Sequence, residues 1–197
     1  MLYFTSDLHL GHANAIRHSN RPFADVEEMN RVLIENINNA VAEPEDELWI
    51  LGDFSVDLNK EEVRALRKRI ACRHVHLIKG NHDKDYAGEH IFQSVQPYKR
   101  LKTAYGPVIL FHYPILEWEA AQWGTIHLHG HIHSMGDYNK DNLNRKLADR
   151  VISHHIPKGD FNLRLYDVGV DANGFRPVSI DQIAKVMGLV PAHQDGE

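Results

Sequence analysis

The chain has 197 residues, of which 43% are hydrophobic, and its formal net charge at pH 7 is −5. This length and apolar content suffice for one buried core, so we predict a single domain over residues 1–197. The mildly acidic charge gives no reason to expect non-specific binding to nucleic acid, although it leaves room for a local basic patch.

The sequence carries no targeting or membrane signal. It lacks the basic and apolar regions of a signal peptide, and no run approaches the roughly 18 apolar residues of a membrane helix. The single cysteine, Cys72, has no partner for an internal disulfide, which fits a reducing compartment. We therefore predict a cytoplasmic protein without membrane contact, and the sequence gives no indication of oligomeric state.

The first predicted strand runs from Leu2 to Ser6 and leads into Asp7-Leu8-His9-Leu10-Gly11-His12. Asp7 and His9 are two positions apart, so in extended geometry both side chains point to the same side, as a pair of metal ligands must. For an isolated motif of this kind, a loop aspartate and a surface histidine are the commoner interpretation.

A capped amphipathic helix is predicted from Asp25 to Val41, followed by a strand from Glu47 to Leu51. The strand is almost continuously apolar, which is typical of a strand covered on both faces. It ends in Gly52-Asp53. An unpaired carboxylate there would cost several kcal/mol, so Asp53 needs a cation, hydrogen-bond donors or water.

A second amphipathic helix begins at Asn59, and the strand from Val75 to Ile78 leads into Lys79-Gly80-Asn81-His82-Asp83. We predict a positive φ for Gly80, which a tight turn would need. Asn81 offers an amide oxygen as a neutral metal ligand, and His82 can carry a proton near neutral pH. For the isolated motif, a polar turn whose side chains bind their own backbone is the commoner interpretation.

The second half of the chain repeats the pattern of an apolar strand that ends in a ligand. A hairpin of Lys99 to Thr103 and Val108 to Phe111 delivers His112. The strand Thr125 to His129 delivers Gly130-His131-Ile132-His133, in which His131 and His133 can share one side. His127 and His129 are interpreted as polar positions of that strand.

The remaining segments are assigned from local patterns. Residues 134–160 are polar and form either a mobile segment or a loop that overhangs a site. Asn173-Gly174 predicts a tight hairpin turn. The other predicted elements are a short helix from Glu117 to Trp123, hairpin arms from Phe161 to Val170 and from Phe175 to Val178, a last helix capped by Ser179, and a fraying tail over residues 191–197.

Five strand ends thus carry ligand types, and open sheets gather the carboxyl ends of their strands into one crevice. Oxygen and nitrogen ligands without thiolate suit Mn, Fe, Co, Ni or Zn rather than calcium. Seven ligands predict two ions that share a carboxylate, roughly 3.5–4 Å apart, with a bridging hydroxide for attack on phosphorus. The candidate ligands are Asp7, His9, Asp53, Asn81, His112, His131 and His133.

In order and spacing, these motifs resemble those of the calcineurin-like metallophosphoesterases, and most closely the small bacterial and phage members. The likeness extends to Phe4-Thr5-Ser6-Asp7-Leu8-His9-Leu10-Gly11-His12, Arg21-Pro22-Phe23, His112-Tyr113-Pro114 and Val168-Gly169-Val170-Asp171. It implies an α/β fold of two packed mixed β-sheets flanked by helices. It also implies two divalent transition-metal ions, with manganese favoured.

The resemblance assigns a role to each residue. Asp7, His9, Asp53 and His133 would bind one ion, and Asp53, Asn81, His112 and His131 the other, so that Asp53 would bridge. His82 would protonate or orient the leaving oxygen. The aspartate that orients this histidine in the related protein phosphatases is replaced here by Val56, so either Asp57 or Asp83 orients His82, or no residue does. His12, Asn14 and Arg21 follow the first ligand pair and either contact phosphate oxygens or stabilise the loop.

The predicted function is hydrolysis of a small phosphate ester, either a phosphodiester, including nucleotide types, or a phosphomonoester. Asp53 is followed by Phe54-Ser55-Val56-Asp57 rather than by the Val-Asp-Arg-Gly of the related protein phosphatases, which argues against that class. The alternative is a non-catalytic metal-binding scaffold for a protein partner. Such scaffolds have usually lost ligands, whereas every ligand position is filled here, so an enzyme is favoured.

Overall fold

The computed structural model describes residues 1–143 and 164–192. These residues form two β-sheets, whose strands alternate along the chain with helices. The first sheet contains β1 (Leu2–Thr5), β2 (Glu47–Ile50), β3 (His74–Ile78) and β4 (Ser94–Gln96). The second contains β5 (Tyr98–Thr103), β6 (Gly106–Phe111), β7 (Ile126–His129) and β8 (Leu165–Asp167), and β9 (Val178–Ser179) returns to the first.

The described helices are mostly short, and three of them begin with a side-chain cap. Asp25 accepts a hydrogen bond from the Glu28 amide at the start of the second helix, and Asn59 forms a capping box with Glu62 at the start of the third. The helices are α1 (Ala13–His18), α2 (Val26–Ala40), α3 (Lys60–Lys68), α4 (Tyr138–Leu143) and α5 (Ile180–Val186), with 3-10 turns at Ala121–Trp123 and Val170–Asn173.

Strand direction decides where the strand ends meet. The first sheet has the order β4-β3-β2-β1-β9, in which β1 to β4 are parallel and β9 is antiparallel to β1. The second sheet has the order β5-β6-β7-β8, in which β5 and β6 are antiparallel and the pairs β6–β7 and β7–β8 are parallel. The carboxyl ends of β1, β2 and β3 therefore lie along one edge.

Two apolar cores hold these layers together. Between the sheets, Phe4, Trp49 and Ile78 pack with residues of the second sheet such as Leu110 and Leu128. The other face of the first sheet is covered by α2 and α3, through a core that includes Met29, Leu33, Val63, Leu48 and Ile50. Alternate residues of β2 thus enter different cores, as its continuous apolar sequence predicted. The predicted α/β fold class, two mixed sheets flanked by helices, is confirmed.

The predicted hairpin around Asn173-Gly174 is wrong. Its arms belong to different sheets, because β8 pairs with β7 whereas β9 pairs with β1. The intervening 3-10 turn ends at Gly174, where φ is 60°, and carries the chain from one sheet to the other. An Asn-Gly turn has the same local sequence whether it closes a hairpin or connects two sheets, so only the packing of its two arms distinguishes the two structures.

Other predicted segments change in length or type. The predicted helix from Glu117 is reduced to the 3-10 turn at its end, and part of the predicted polar loop is α4. Asn139 of α4 bonds the backbone of Asp167 through both ends of its amide, which ties this segment to β8. Residues 144–160 of the loop, 161–163 of the predicted strand and 193–197 of the tail lie outside the described residues.

Within residues 1–143 and 164–192, every helix is too short or too polar to cross a membrane.

Candidate metal centre

The strand ends bring the predicted ligands into two groups. One group is Asp7, His9 and His133, and the other is Asp53, His112 and His131; within each, the ligand atoms lie within 4.8 Å of one another. Asn81 joins the second group, because its Oδ1 lies 3.0 Å from His112 Nε2. All seven predicted ligands therefore meet where β1, β2, β3, β6 and β7 end.

Paired turns place the first ligands. Beyond the strands, the Asp7 amide donates to Gly52 O and the His9 amide donates to Asp53 O, each at 3.0 Å, so that the two ligand-bearing turns stay side by side. Asp7 and His9 have φ values of 56° and 50°. The extended geometry predicted for this pair is therefore wrong, although both side chains do reach one site.

Left-handed backbone is a shared property of most ligands at this centre. A non-glycine residue with positive φ is strained and persists only where its surroundings hold it. Five of the seven ligands have this conformation, with φ between 47° and 73°: Asp7, His9, Asp53, His131 and His133. The same twist separates His131 from His133, which belong to different groups rather than sharing one side.

Two glycines are required by close approach. Gly80 does not have the positive φ that its turn predicted; instead, a Cβ at this position would overlap Asp53 Oδ1. Gly52 has a φ of 97°, and a Cβ there would overlap the ring of His112. A side chain at either position would displace a ligand.

The chemistry of the second group fits a cation. His112 Nδ1 lies 2.7 Å from Leu51 O, so a neutral ring donates its proton there and leaves Nε2 with a free lone pair. That nitrogen faces Asn81 Oδ1, which is also an acceptor, at 3.0 Å. Two acceptors at this distance repel one another unless a cation lies between them.

The spacing of the first group also fits a cation. His9 Nε2 and His133 Nε2 are 3.1 Å apart, close to the spacing of two nitrogens that each lie about 2.1 Å from one ion. Burial lowers the pKa of His9 to about 2, which keeps its ring neutral, and burial raises the pKa of Asp7 to about 7. Asp7 Oδ1 is buried and accepts no hydrogen bond from any described residue.

Asp53 stands between the groups. Its Oδ2 lies 3.8 Å from His9 Nε2 and 3.5 Å from His112 Nε2, while its Oδ1 accepts the His82 amide at 2.9 Å. The residue is 2% exposed, so its charge is shielded from water. One oxygen is therefore within reach of ligands from both groups, and the other fixes the turn that carries Asn81 and His82.

His82 places its ring beside the ligands without joining them. The ring centroid lies 5.4 Å from that of His9, and the residue is exposed. Asp83 does not orient this ring, because its carboxylate accepts the amides of Gly80, Asp53 and Phe54. Asp83 thus joins the turns after β2 and β3, a role that its sequence position did not suggest.

The three predicted substrate-binding residues have different surroundings. His12 is half-buried with its ring centroid 5.9 Å from that of His9, and Asn14 is exposed on α1, where it accepts a hydrogen bond from Arg17. The Arg21 side chain is 0% exposed and bonds Asp171 together with the carbonyls of Asp7 and Leu8. Its placement favours the loop-stabilising alternative over contact with substrate.

The sequence did not indicate the partners of His133. Its Nδ1 lies 2.7 Å from Asp171 Oδ2 and 3.1 Å from Ser19 Oγ. Burial alone would raise the pKa of Asp171, but hydrogen bonds from His133 and Arg21 outweigh it and hold that pKa below its usual range. Burial alone would lower the pKa of His133, but the hydrogen bond to Asp171 and the nearby charge of Asp7 outweigh burial and raise that pKa above its usual value.

With the fold and the two ligand groups described, family membership can be assigned. The family model described as calcineurin-like phosphoesterase matches residues 2–176. The chain therefore belongs to the calcineurin-like phosphoesterase family and is a phosphate-ester hydrolase. This assignment favours the enzyme over the scaffold alternative.

Similar proteins cover nearly the whole chain. The protein called Uncharacterized protein MJ1445 of Methanocaldococcus jannaschii is 32% identical, over 94% of this chain and 90% of its own length. The Gene 66 protein of Mycobacterium phage L5 is 30% identical, over 92% of this chain and 91% of its own length. The crystal structure of AQ665 from Aquifex aeolicus, a protein of unknown function, has a TM-score of 0.67 at 25% identity. The match covers 94% of this chain and 98% of the AQ665 chain. The phage relative agrees with the predicted likeness to small bacterial and phage members.

Replacing Gly80 with alanine tests the close approach at Asp53. The added methyl group would push against Asp53 Oδ1, so we expect metal affinity to fall at least about 10-fold, as when a group that orients a ligand is lost. Titration with Mn²⁺ measures the effect. Gly88→Ala is the control, because its Cβ would meet nothing within 4 Å; its φ of 75° adds backbone strain that Gly80→Ala lacks, so the control isolates the effect of close approach. Wild-type affinity in Gly80→Ala would contradict the interpretation.

Proposed function

We propose that this protein uses two divalent transition-metal ions to hydrolyse phosphodiesters or phosphomonoesters. The observation that carries the proposal is the position of Asp53 Oδ2, within 3.8 Å of His9 Nε2 and 3.5 Å of His112 Nε2. A carboxylate that reaches both ligand groups can bind two ions at once. When bound, such a pair of ions would supply an activated water molecule and would stabilise charge on the attacking and leaving oxygens.

The charge balance of the centre supports an anionic substrate. Asp7 and Asp53 are the two carboxylates among the proposed ligands, and the other five, one amide and four imidazoles, bind a metal in their neutral forms. Two divalent ions would therefore leave a net positive charge in a buried setting, where it attracts phosphate more strongly than in water. This attraction does not depend on the ester group, so both diesters and monoesters are proposed substrates.

His82 is proposed to act on the leaving group. Its ring is exposed and lies beside His9, while its amide holds Asp53 Oδ1, so the imidazole is free to face a bound ester. An imidazole in this place can donate a proton to the departing oxygen. His12, whose ring also approaches His9, remains the better placed of the proposed phosphate contacts.

Manganese is the ion proposed for the first tests, with iron, cobalt, nickel and zinc as alternatives. The ligands offer carboxylate and amide oxygens together with imidazole nitrogens, a mixture that suits these ions better than calcium. A cytoplasmic location remains a proposal from the sequence.

Metal removal tests the proposed function as a whole. We expect the protein to hydrolyse an aryl phosphate ester, to lose this activity with a chelator, and to regain it with Mn²⁺. Bound metal should also stabilise the fold by about 2.7 kcal/mol at a hundredfold excess over Kd, which a melting experiment measures. No bound transition metal by elemental analysis, together with an unchanged melting temperature on adding Mn²⁺ or Ni²⁺, would contradict the proposal.

Asp53→Asn tests the bridge. The amide keeps the size of the side chain but removes the charge that two ions share, so we expect about one bound ion or none and loss of turnover. Metal analysis and an aryl ester assay measure both. Asp46→Asn is the control, because Asp46 is an equally buried carboxylate that bonds the chain's N-terminus instead. Two ions and normal turnover in Asp53→Asn would exclude the bridging role.

His82→Ala tests the proton donor. General acid catalysis typically supplies about 10² to 10⁴ in rate, and it matters more as the leaving group becomes more basic. We therefore expect a small loss of kcat/KM for an aryl ester and a loss near the upper limit for an alkyl or nucleoside ester, with unchanged metal content. His18→Ala, which removes an exposed imidazole from α1, is the control. Equal losses on both esters would mean that His82 only positions the phosphate.

A further inference from the structure

A buried ion pair lies directly behind the first ligand group. Arg21 Nε donates to Asp171 Oδ1 at 2.8 Å and Arg21 Nη2 donates to Asp171 Oδ2 at 2.9 Å, and the two side chains are 0% and 1% exposed. The desolvation of a buried pair commonly cancels its attraction, so stability alone is weak grounds for placing one here. Its other contacts indicate a second role.

Asp171 fixes which nitrogen of His133 is free. The carboxylate can only accept hydrogen bonds, so the contact of 2.7 Å from Asp171 Oδ2 to His133 Nδ1 places the ring proton on that nitrogen. His133 Nε2 is left with its lone pair, directed toward His9 Nε2 at 3.1 Å. A carboxylate partner of this kind fixes the ring orientation and makes the imidazole a stronger ligand.

Arg21 connects this arrangement to the backbone of the first ligand turn. Its Nη2 donates to Asp7 O at 2.7 Å and its Nη1 donates to Leu8 O at 3.1 Å. One guanidinium therefore bonds both Asp171, the partner of His133, and the strained turn of Asp7. These two segments are more than a hundred residues apart in the sequence. The bidentate geometry on Asp171 requires arginine, because lysine cannot form it.

The second ligand group lacks an equivalent. The partner of His112 is a neutral carbonyl, Leu51 O, and among the described residues nothing bonds the ring of His131. A charged partner strengthens an imidazole ligand more than a neutral one does. The two groups thus differ in the partners of their histidines, a carboxylate for His133 and a carbonyl for His112, although each group contains one carboxylate and two histidines.

We propose that Asp171, clamped by Arg21, is a positioning residue that orients His133 and makes the Asp7, His9 and His133 group the tighter of the two metal sites. The inference rests on the proposed function, because it requires that both groups bind ions. It predicts sequential loading, in which this group fills first.

The test is a calorimetric titration of the full chain with Mn²⁺. Wild type should show two binding events of different affinity. Asp171→Asn keeps the side-chain size, removes the charge and turns an amide N–H toward Arg21, so the tighter event should weaken about 10- to 100-fold while the weaker one stays unchanged. Arg21→Lys, which retains the charge but not the bidentate contact, should weaken the same event by a smaller factor.

Two further variants separate positioning from folding. Arg21→Met combined with Asp171→Asn leaves no unpaired buried charge, so it should remain folded, as judged by its circular dichroism and melting curve, while the tighter event is still weakened. Asp46→Asn alters a buried carboxylate that bonds the N-terminus and the Glu43 amide, and it should leave both events unchanged.

The outcomes are distinct. Unchanged Mn²⁺ affinities in folded Asp171→Asn and in the double variant would overturn the positioning role. It would also be overturned if Asp171→Asn weakened both binding events equally, or if Asp46→Asn weakened Mn²⁺ binding as much as Asp171→Asn does. Failure of wild type to bind Mn²⁺ at all, with no ester hydrolysis, would instead contradict the proposed function. Weakening confined to the tighter event supports the inference.

Discussion

Two buried carboxylates at the ends of neighbouring parallel strands are the constraint on which this structure depends. Asp7 and Asp53 are 0% and 2% exposed, and their turns remain hydrogen-bonded to one another beyond the strands. Such charges are costly away from water unless cations or donors compensate them. Hydrogen-bond donors compensate these carboxylates only in part, since Asp7 Oδ1 accepts no hydrogen bond from the described residues. The histidines and Asn81 around them offer lone pairs, so a cation satisfies both sets of groups.

The geometry that assembles these ligands is strained, and the rest of the fold holds the strain in place. Left-handed residues such as Asp7 and His131 would relax in a free loop. Here Asp83 ties together the turns after β2 and β3, and Arg21 holds the turn after β1. The glycines at 52 and 80 allow neighbouring turns to approach within contact of ligand atoms. Turns held in this way on parallel strands are a suitable base for a hydrolytic site, because hydrogen bonds within the chain fix the positions of the candidate ligands.

Much of the fold and the site could be predicted from the sequence because each ligand follows an apolar strand directly. The apolar run before Asp53 and the run before Gly80 required buried strands, and parallel strands bring such ends to one edge. The hairpin predicted at Asn173-Gly174 failed because a tight turn has the same local sequence whether its arms pair or separate. Likewise, Gly80 indicated a turn, but its φ and its contact with Asp53 depend on a strand from elsewhere in the chain.

The sequence by itself determined which residues are candidate metal ligands, since short motifs at strand ends set their type and order. The tertiary structure decided how the ligands divide into two groups. It separates His131 from His133 through their left-handed backbone, although the sequence places them two positions apart. It also pairs Arg21 with Asp171 across 150 positions, which no local pattern encodes. The physical reason is that burial and hydrogen-bond geometry arise between segments distant in sequence, whereas strand periodicity arises within them.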